Sequence, residues 1–497
     1  MKTLTLIFLF LNSFISFSQK IYYSSNSLLN TGAYNYDIVG SIKNKTIVWQ
    51  TNASGITSTV FGFGENSPPN LQTSKSKSSF SNIFIYDSTM QLLQTIGTDI
   101  LKNAYDARPK FFVAKNNFKV LYQDLVKKQL SYKVAVFDGN GNLQSLRTLD
   151  SLTYEKDIDE LSAYGYAILQ SENKNNVCLA KMYYDADKHL LNLNYSFIDD
   201  TIVNKQLAFS VDINKESLAS INIDNDKNLL LVFTSNEDST SKIKVIKRSY
   251  SDSLMLIAEK NIDATGLKNN PVYIVQNTNG YIVFAELNAN NNKNLFVWQT
   301  DRKLDDVAGG DTTIAKPFSG LLNFISSNTN TDDIFIMRND VDKRSPDNVY
   351  GTYNSRYALW PVKSYGGPFN EYTSKASGTQ ALKNIELFGV NKWNTITWSK
   401  VFANDSGMVE RTDFYNSTIV RCNKNVHIIY QVEVRRGPRS LGHIIIAPDG
   451  TTTETNYTAW DMNYHYNLKR SKVTDDNMLV VIATKGNTMR FAKIKIE

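Results

Sequence analysis

The chain has 497 residues, 42% of them apolar and 21% charged, with a formal net charge of +6. These proportions suit a globular protein with a sizeable core, and so small a positive excess makes no case for nucleic-acid binding. Tyr (27) and Phe (25) are plentiful, and Asn, Ser and Thr crowd the gaps between apolar runs. That is the vocabulary of strands and turns.

Residues 1–18 read as a signal peptide. Lys2 supplies the positive region, Leu4–Leu11 the apolar stretch, and Ser16-Phe17-Ser18 the small-x-small cleavage site before Gln19. The apolar stretch is shorter than the roughly 20 residues a spanning helix needs. No Cys follows it, so lipid attachment is not expected. The mature chain, 19–497, shows no apolar run long enough to cross a membrane as a helix. Its two cysteines, Cys178 and Cys422, stand far apart; a bond between them and two free core thiols are both open.

From there a hairpin repeats: an apolar residue, a short Asx/Lys turn, then a run of β-formers. It reads IDNDKNLLLVF at Ile223–Phe233, VAKNNFKVLYQ at Val113–Gln123, VQNTNGYIVFA at Val275–Ala285, VRCNKNVHIIY at Val420–Tyr430 and VTDDNMLVVIA at Val473–Ala483. Looser copies are Val39–Trp49 and Phe388–Trp398, with degraded ones at Ala163–Gln170 and Thr331–Asn339. A second pair of strands follows each, as in Tyr132–Asp138, a Gly139-Asn140-Gly141-Asn142 turn and Leu143–Leu149. The period is roughly fifty to sixty residues, the size of one four-stranded propeller blade.

The expected fold is therefore all-β: a single β-propeller domain of four-stranded blades over 19–497. The step from Phe388–Trp398 to Val420–Tyr430 is too short for a blade, which favours eight blades, with seven and nine as alternatives. Ile21–Ser24 has no local partner, and the last unit stops before an outer strand. Pairing of the two terminal strands would close the ring and remove an exposed sheet edge.

Two insertions break the rhythm. Residues 53–80 are rich in Ser, Gly, Thr and Pro and carry Phe61 and Phe63. Residues 340–378 carry Tyr357, Trp360 and Tyr365 among Gly and Pro. Loops of this length are uncommon unless functional or disordered. The run Arg435-Arg436-Gly437-Pro438-Arg439 interrupts two strands, so Arg435, Arg436 and Arg439 should project from a turn, where guanidinium groups suit carboxylates or phosphates. With the insertion aromatics they form the expected partner-binding set.

Catalytic and metal signatures are missing from the linear sequence. The four histidines, His189, His427, His443 and His465, show no ligand spacing; His427 and His443 fall inside strand patterns. Asp224, Asp226 and Asn228 resemble the opening of a calcium loop without its later ligands, and turn closure explains the same residues. Glu155, Asp157, Asp159 and Glu160 read as a solvated connector. No cofactor and no metal are expected.

The Asx-rich hairpin, as in IDNDKNLLLVF, resembles the D-x-D-G-N-ϕ hairpins of exported β-propeller repeat families. The Gly of that pattern is replaced here by Lys227, Lys424 or Asp476. The resemblance implies a binding or scaffold protein, with some lyases and hydrolases among such families. The signal-peptide style, the Gln19 start, the size and the Tyr/Asn-rich β chain are also similar to accessory proteins of the type IX secretion machinery, including the plug subunit of its translocon.

The resulting expectation is a non-enzymatic cell-envelope interaction protein, exported by its signal peptide and monomeric by itself, in the periplasm, with the cell surface or the medium as the alternatives. It would hold a protein partner, an outer-membrane translocon among the candidates, through loops on one propeller face. The alternative is a carbohydrate-active or peptide-cleaving enzyme, or a glycan-binding module, with its site at the propeller axis. Active sites assembled from several blades leave no linear motif.

Overall fold

The computed structural model describes residues Ile21 to Ile496 apart from 30–33, 53–80, 342–381 and shorter connections between strands. Within them the chain is all-β and contains no helix, so none is long and apolar enough to cross a membrane. The described strands form seven four-stranded antiparallel sheets and one of five strands. Numbered along the chain, sheet 1 spans 34–98, sheet 2 110–153, sheet 3 164–210 and sheet 4 216–263. Sheet 5 spans 272–313, sheet 6 320–403 and sheet 7 410–457. Sheet 8 combines 465–495 with Ile21–Tyr23 and Leu28–Leu29.

In sheets 1–7, and over 465–495 of sheet 8, the strands pair in chain order, and their sequences grade from the second strand outward. Second strands are the most apolar, as in LLLVFTS at Leu229–Ser235 and MLVVIATK at Met478–Lys485, which are buried on both faces. Fourth strands are mixed and largely exposed, as in LIAEKNID at Leu256–Asp263 and LLQTIGT at Leu92–Thr98. A strand covered on both sides by other sheets favours apolar residues on both faces, whereas an outer strand needs only one contact face.

The turns explain why Asp recurs. The Asp138 carboxylate accepts the N–H groups of Asn140 and Asn142 at 2.8 and 2.9 Å. Asp224 takes those of Asp226 and Asn228 at 2.9 and 2.7 Å, and Asp301 those of Lys303 and Asp305 at 2.7 and 2.9 Å. In each turn the third residue after the Asp is left-handed: Gly141 (φ 79°), Lys227 (φ 66°) and Leu304 (φ 66°). Two backbone donors held by one carboxylate fix the turn firmly enough that a non-Gly residue is tolerated there, at a cost of about 1 kcal/mol.

Among the described residues eight apolar clusters lie between the sheets, and each groups two of them. Trp49 and Ile83 of sheet 1 join Phe118 and Phe137 of sheet 2. Leu121 and Val134 join Val177 and Leu179, and Leu193 and Tyr195 join Leu231 and Phe233. Val232 and Val245 join Val283 and Trp298, and Phe284 and Val297 join Phe388 and Val390. Ile385 and Leu387 join Ile428 and Ile444, and Ile429 and Leu441 join Leu479 and Val481 of sheet 8. The last cluster groups Val480 and Phe491 of sheet 8 with Tyr36 and Val48 of sheet 1. Each fully buried Leu, Val or Phe in them stabilises the fold by about 1.5–3 kcal/mol.

The N-terminal strand Ile21–Tyr23 pairs antiparallel with the C-terminal strand, Ile21 opposite Ile494 and Tyr23 opposite Ala492. Ser24 reinforces the seam, its N–H donating to the Phe491 carbonyl at 2.8 Å.

Three sequence readings shift. Phe388–Trp398 is the turn between the third and fourth strands of sheet 6, not the start of a unit; this accounts for the short step to the next hairpin. Ala163–Gln170 and Thr331–Asn339 each contribute one strand, Tyr164–Gln170 and Ile334–Val341, rather than a whole hairpin. Cys178 and Cys422 are buried in separate sheets, 3 and 7, with no disulfide between them, so the disulfide reading falls.

Candidate functional site

The expected partner-binding residues Phe61, Phe63, Tyr357, Trp360, Tyr365, Arg435, Arg436 and Arg439 lie outside the described residues. The strands that flank them are described. In sheets 1, 6 and 7 the chain leaves after the second strand (Lys45–Asn52, Ile334–Val341, Asn425–Val434) and returns at the third (Ser81–Tyr86, Leu382–Val390, Ser440–Ile446). In a four-stranded meander these connections leave from the end opposite the turns built by Asp138, Asp224 and Asp301.

Asp224, Asp226 and Asn228, the calcium-like set, meet protein donors instead. Asp224 is fully buried; beyond the two turn N–H groups it accepts the Asn228 side-chain amide at 2.8 Å and the Tyr281 hydroxyl at 2.6 Å. Lys247, also buried, lies 3.7 Å away and donates to the Arg302 carbonyl at 2.9 Å. Asp226 points outward to Arg302 at 3.1 Å. Burial lowers the Lys247 pKa; for Tyr281, burial and then Asp224 raise it. This is a buried polar tie between sheets 4 and 5, with every oxygen of Asp224 engaged. Among the described residues no group of three or more His, Cys, Asp or Glu could hold a metal ion.

His427 and His443 come together. Both are fully buried in sheet 7, with Nδ1 of His427 2.9 Å from Nε2 of His443 and the rings stacked at 5.1 Å. Burial lowers their pKa values, to about 4 for His427 and about 3 for His443, where the neighbouring His427 adds to the effect. The pair is neutral and enclosed, which suits a structural role in the sheet.

A groove open to solvent lies between the outer strands of sheets 4 and 5, with a volume of about 300 Å³. Lys260, Asn261 and Asp263 line one wall; Asp306, Val307 and Gly309 line the other, with Trp298 at the base. The alternation of Leu256–Asp263 turns Lys260 across the gap, where its ammonium donates to Asp306 Oδ2 at 2.6 Å. The Trp298 indole N–H donates to Oδ1 of the same carboxylate at 2.9 Å. The Lys260 hydrogen bond, ahead of that from Trp298, holds the Asp306 carboxyl below the usual carboxylate range. Gly309 keeps the indole edge clear, since a Cβ there would sit 3.1 Å from Trp298 Cδ1.

The groove can do specific chemistry. Lys260 is 32% and Asp306 58% exposed at the side chain, so their pairing is worth only about 0–1 kcal/mol to the fold. The ammonium keeps two further donors and the carboxylate further lone pairs for a ligand. None of these residues stood out in the sequence. They come from two sheets and three strands, and no local signal marks them beyond a Trp in the run NLFVWQT.

Such an architecture defines an all-β protein of repeated four-stranded antiparallel sheets. No family model and no curated protein matches the chain. Among solved structures, the chain is similar to the polysaccharide lyase Uly1 at 9% identity and a TM-score of 0.35, over 78% of this chain and 89% of that one. Prolyl oligopeptidase B from Galerina marginata matches at 9% identity and a TM-score of 0.38, over 94% and 55%. The acylaminoacyl peptidase of Pyrococcus horikoshii matches at 9% identity and a TM-score of 0.35, over 77% and 50%. The chain thus spans about half the length of these two peptidases.

The expectation of a non-enzymatic interaction protein is corrected at this point. The activities named among these structures are a lyase and two peptidases, and none is named as a scaffold or a secretion component. The loops that motivated the expectation lie outside the described residues. At this identity and these TM-scores the matches transfer no residue role and no substrate to this chain.

Proposed function

We propose that the protein is a carbohydrate-active β-propeller that holds a glycan in the groove between sheets 4 and 5. The propeller reading adds ring closure to the sheets: eight blades, with the first strands toward a common axis. Its support is the order of the apolar clusters, which pair each sheet with the next and sheet 8 with sheet 1. First strands also lie against first strands, those of sheets 8, 1 and 2 in succession. Residues 1–18 are taken as an export signal that brings the chain to an envelope compartment where glycans are met.

The observation that carries the glycan reading is the Lys260–Asp306–Trp298 arrangement. Sugar recognition needs donors and acceptors set side by side for adjacent hydroxyl groups, with apolar surface beneath for ring C–H groups. Lys260 and Asp306 supply the first at a separation of 2.6 Å; Val307, 55% exposed, supplies the second. The placement differs from the axial site expected from sequence, because the groove sits between outer strands.

The test is affinity electrophoresis of the purified chain against a panel of polysaccharides, with chain length of each glycan followed by size exclusion. Retardation by at least one glycan is expected, and Lys260→Ala and Asp306→Ala should each weaken it by about tenfold, the loss of one charge-assisted hydrogen bond. Shortening of the bound glycan would make the activity hydrolytic or eliminative; binding alone would make the chain a recognition module. No retardation by any glycan, or cleavage of a peptide library instead, would overturn the reading.

A further inference from the structure

We infer that Trp298 is the positioning residue of the groove, acting on a glycan only through Asp306, whose carboxylate it aims; this rests on the glycan reading above. Five fourth strands begin with the same one-residue bulge, in which Leu93, Gln144, Ile257, Val307 and Thr397 are the extra residues. The residue before the extra one is Leu92, Leu143, Leu256 or Ile396 in sheets 1, 2, 4 and 6, but Asp306 in sheet 5. The pair just beyond the bulge is Trp298 opposite Gly309 in sheet 5. Elsewhere it is Phe84–Thr95, Ala135–Leu146, Ile246–Glu259 and Phe388–Ser399. Asp, Trp and Gly therefore depart from the repeat together, at one place.

The bulge brings the three to one face. Directly opposed residues of an antiparallel pair share a face, and faces alternate along each strand. Trp298 opposes Gly309 and Thr300 opposes Asp306. Asp306 and Gly309 are three residues apart, so they share the face of Trp298 only because Val307 is extra. On that face the indole N–H donates to Oδ1 of Asp306 at 2.9 Å, and the Lys260 ammonium to Oδ2 at 2.6 Å. Each oxygen is held by a donor from a different sheet. The plane of a carboxylate that is 58% exposed is thereby fixed, and a ligand does not have to order it. Trp298 itself is 5% exposed and offers a ligand little surface. Gly309 completes the arrangement, since a Cβ there would press on Trp298 Cδ1 at 3.1 Å and shift the indole.

A double-substitution cycle on the full chain tests this, read by affinity electrophoresis against xylan, β-glucan, galactomannan and polygalacturonate. Trp298→Phe keeps a buried ring and removes the N–H; alone it should weaken retardation by about fivefold, the loss of one hydrogen bond. In an Asp306→Ala chain the same substitution should change retardation by less than about twofold, because nothing is left to aim. Equal weakening in both backgrounds, or none in either, would overturn the positioning role and leave the glycan reading in place. A nitrogen–proton correlation spectrum gives a second measure that needs no change at Trp298. Of the six tryptophan indole N–H signals, one should move in Asp306→Ala, and six unmoved signals would overturn the role as well. No retardation of the folded chain by any of these polysaccharides would overturn both readings.

Discussion

At the scale of single residues, the same side-chain types take two unrelated roles according to burial. Asp138, Asp301 and Asp224 all close turns through two backbone N–H groups. Only Asp224 also reaches Tyr281 of the next sheet, so its turn doubles as a tie between sheets. The histidine pair is the residue-level feature with the clearest solution consequence. His427 and His443 are held neutral in the fold with pKa values of about 4 and about 3, whereas in the unfolded chain each titrates near 6.5. The unfolded state therefore binds more protons on acidification. The stability this pair contributes is complete above about pH 6.5, falls as the pH drops toward 4, and levels off below the folded pKa values. The expected slope is up to about 1.4 kcal/mol per pH unit for each imidazole. Urea unfolding at pH 7, 6, 5 and 4.5 measures it, and the doubly substituted His427→Gln, His443→Gln chain should lose most of the dependence. A wild-type stability flat across that range would contradict the argument.

At the scale of elements, the strand Ile21–Tyr23 matters more than its length suggests. It covers the edge of the C-terminal strand Thr488–Lys495, and Tyr23 meets Tyr466 through their hydroxyl groups at 2.5 Å and stacks on Tyr464 at 5.3 Å. Ser25 carries the same segment into sheet 1, its hydroxyl accepting the Leu92 N–H at 2.9 Å. Removing residues 19–29 should open an apolar edge that pairs with other chains. The expected outcome is a lower melting temperature and concentration-dependent association in analytical ultracentrifugation, partly reversed by a synthetic peptide of residues 19–29. A truncated chain that stays monomeric with an unchanged melting temperature would show that the strand is dispensable.

At the scale of the whole molecule, the proposed closed ring makes a prediction that an open row of sheets does not. In a ring every sheet has two neighbours, so no blade is an end and the position of the termini is arbitrary. Joining Glu497 to Ile21 by a short linker and opening the chain within 211–215 should yield a protein with the same far-ultraviolet spectrum and a melting temperature within a few degrees of the parent. A permutant that is only partly folded would favour a row with distinct end sheets. The groove between sheets 4 and 5 belongs to this scale as well, because it exists only where two outer strands diverge at a seam.

How much of this was legible follows from the range of the forces involved. Strand runs such as LLLVF and turns such as Asp224–Asn228 are set by side-chain alternation and by hydrogen bonds within five residues, so the sequence by itself determined the all-β class, the repeat length and the turn positions. It misplaced Phe388–Trp398 because third-to-fourth turns use the same chemistry as first-to-second turns, and turn chemistry carries no information about which strands it joins. Tertiary structure alone decided that Asp224 faces Tyr281, that His427 faces His443, that Ile21 pairs with Ile494, and that Lys260 meets Asp306 above Trp298. Each of these juxtapositions depends on how one strand is set against another, within a sheet or across a seam. That setting is fixed by the packing of many apolar side chains at once, and no short stretch of sequence records it.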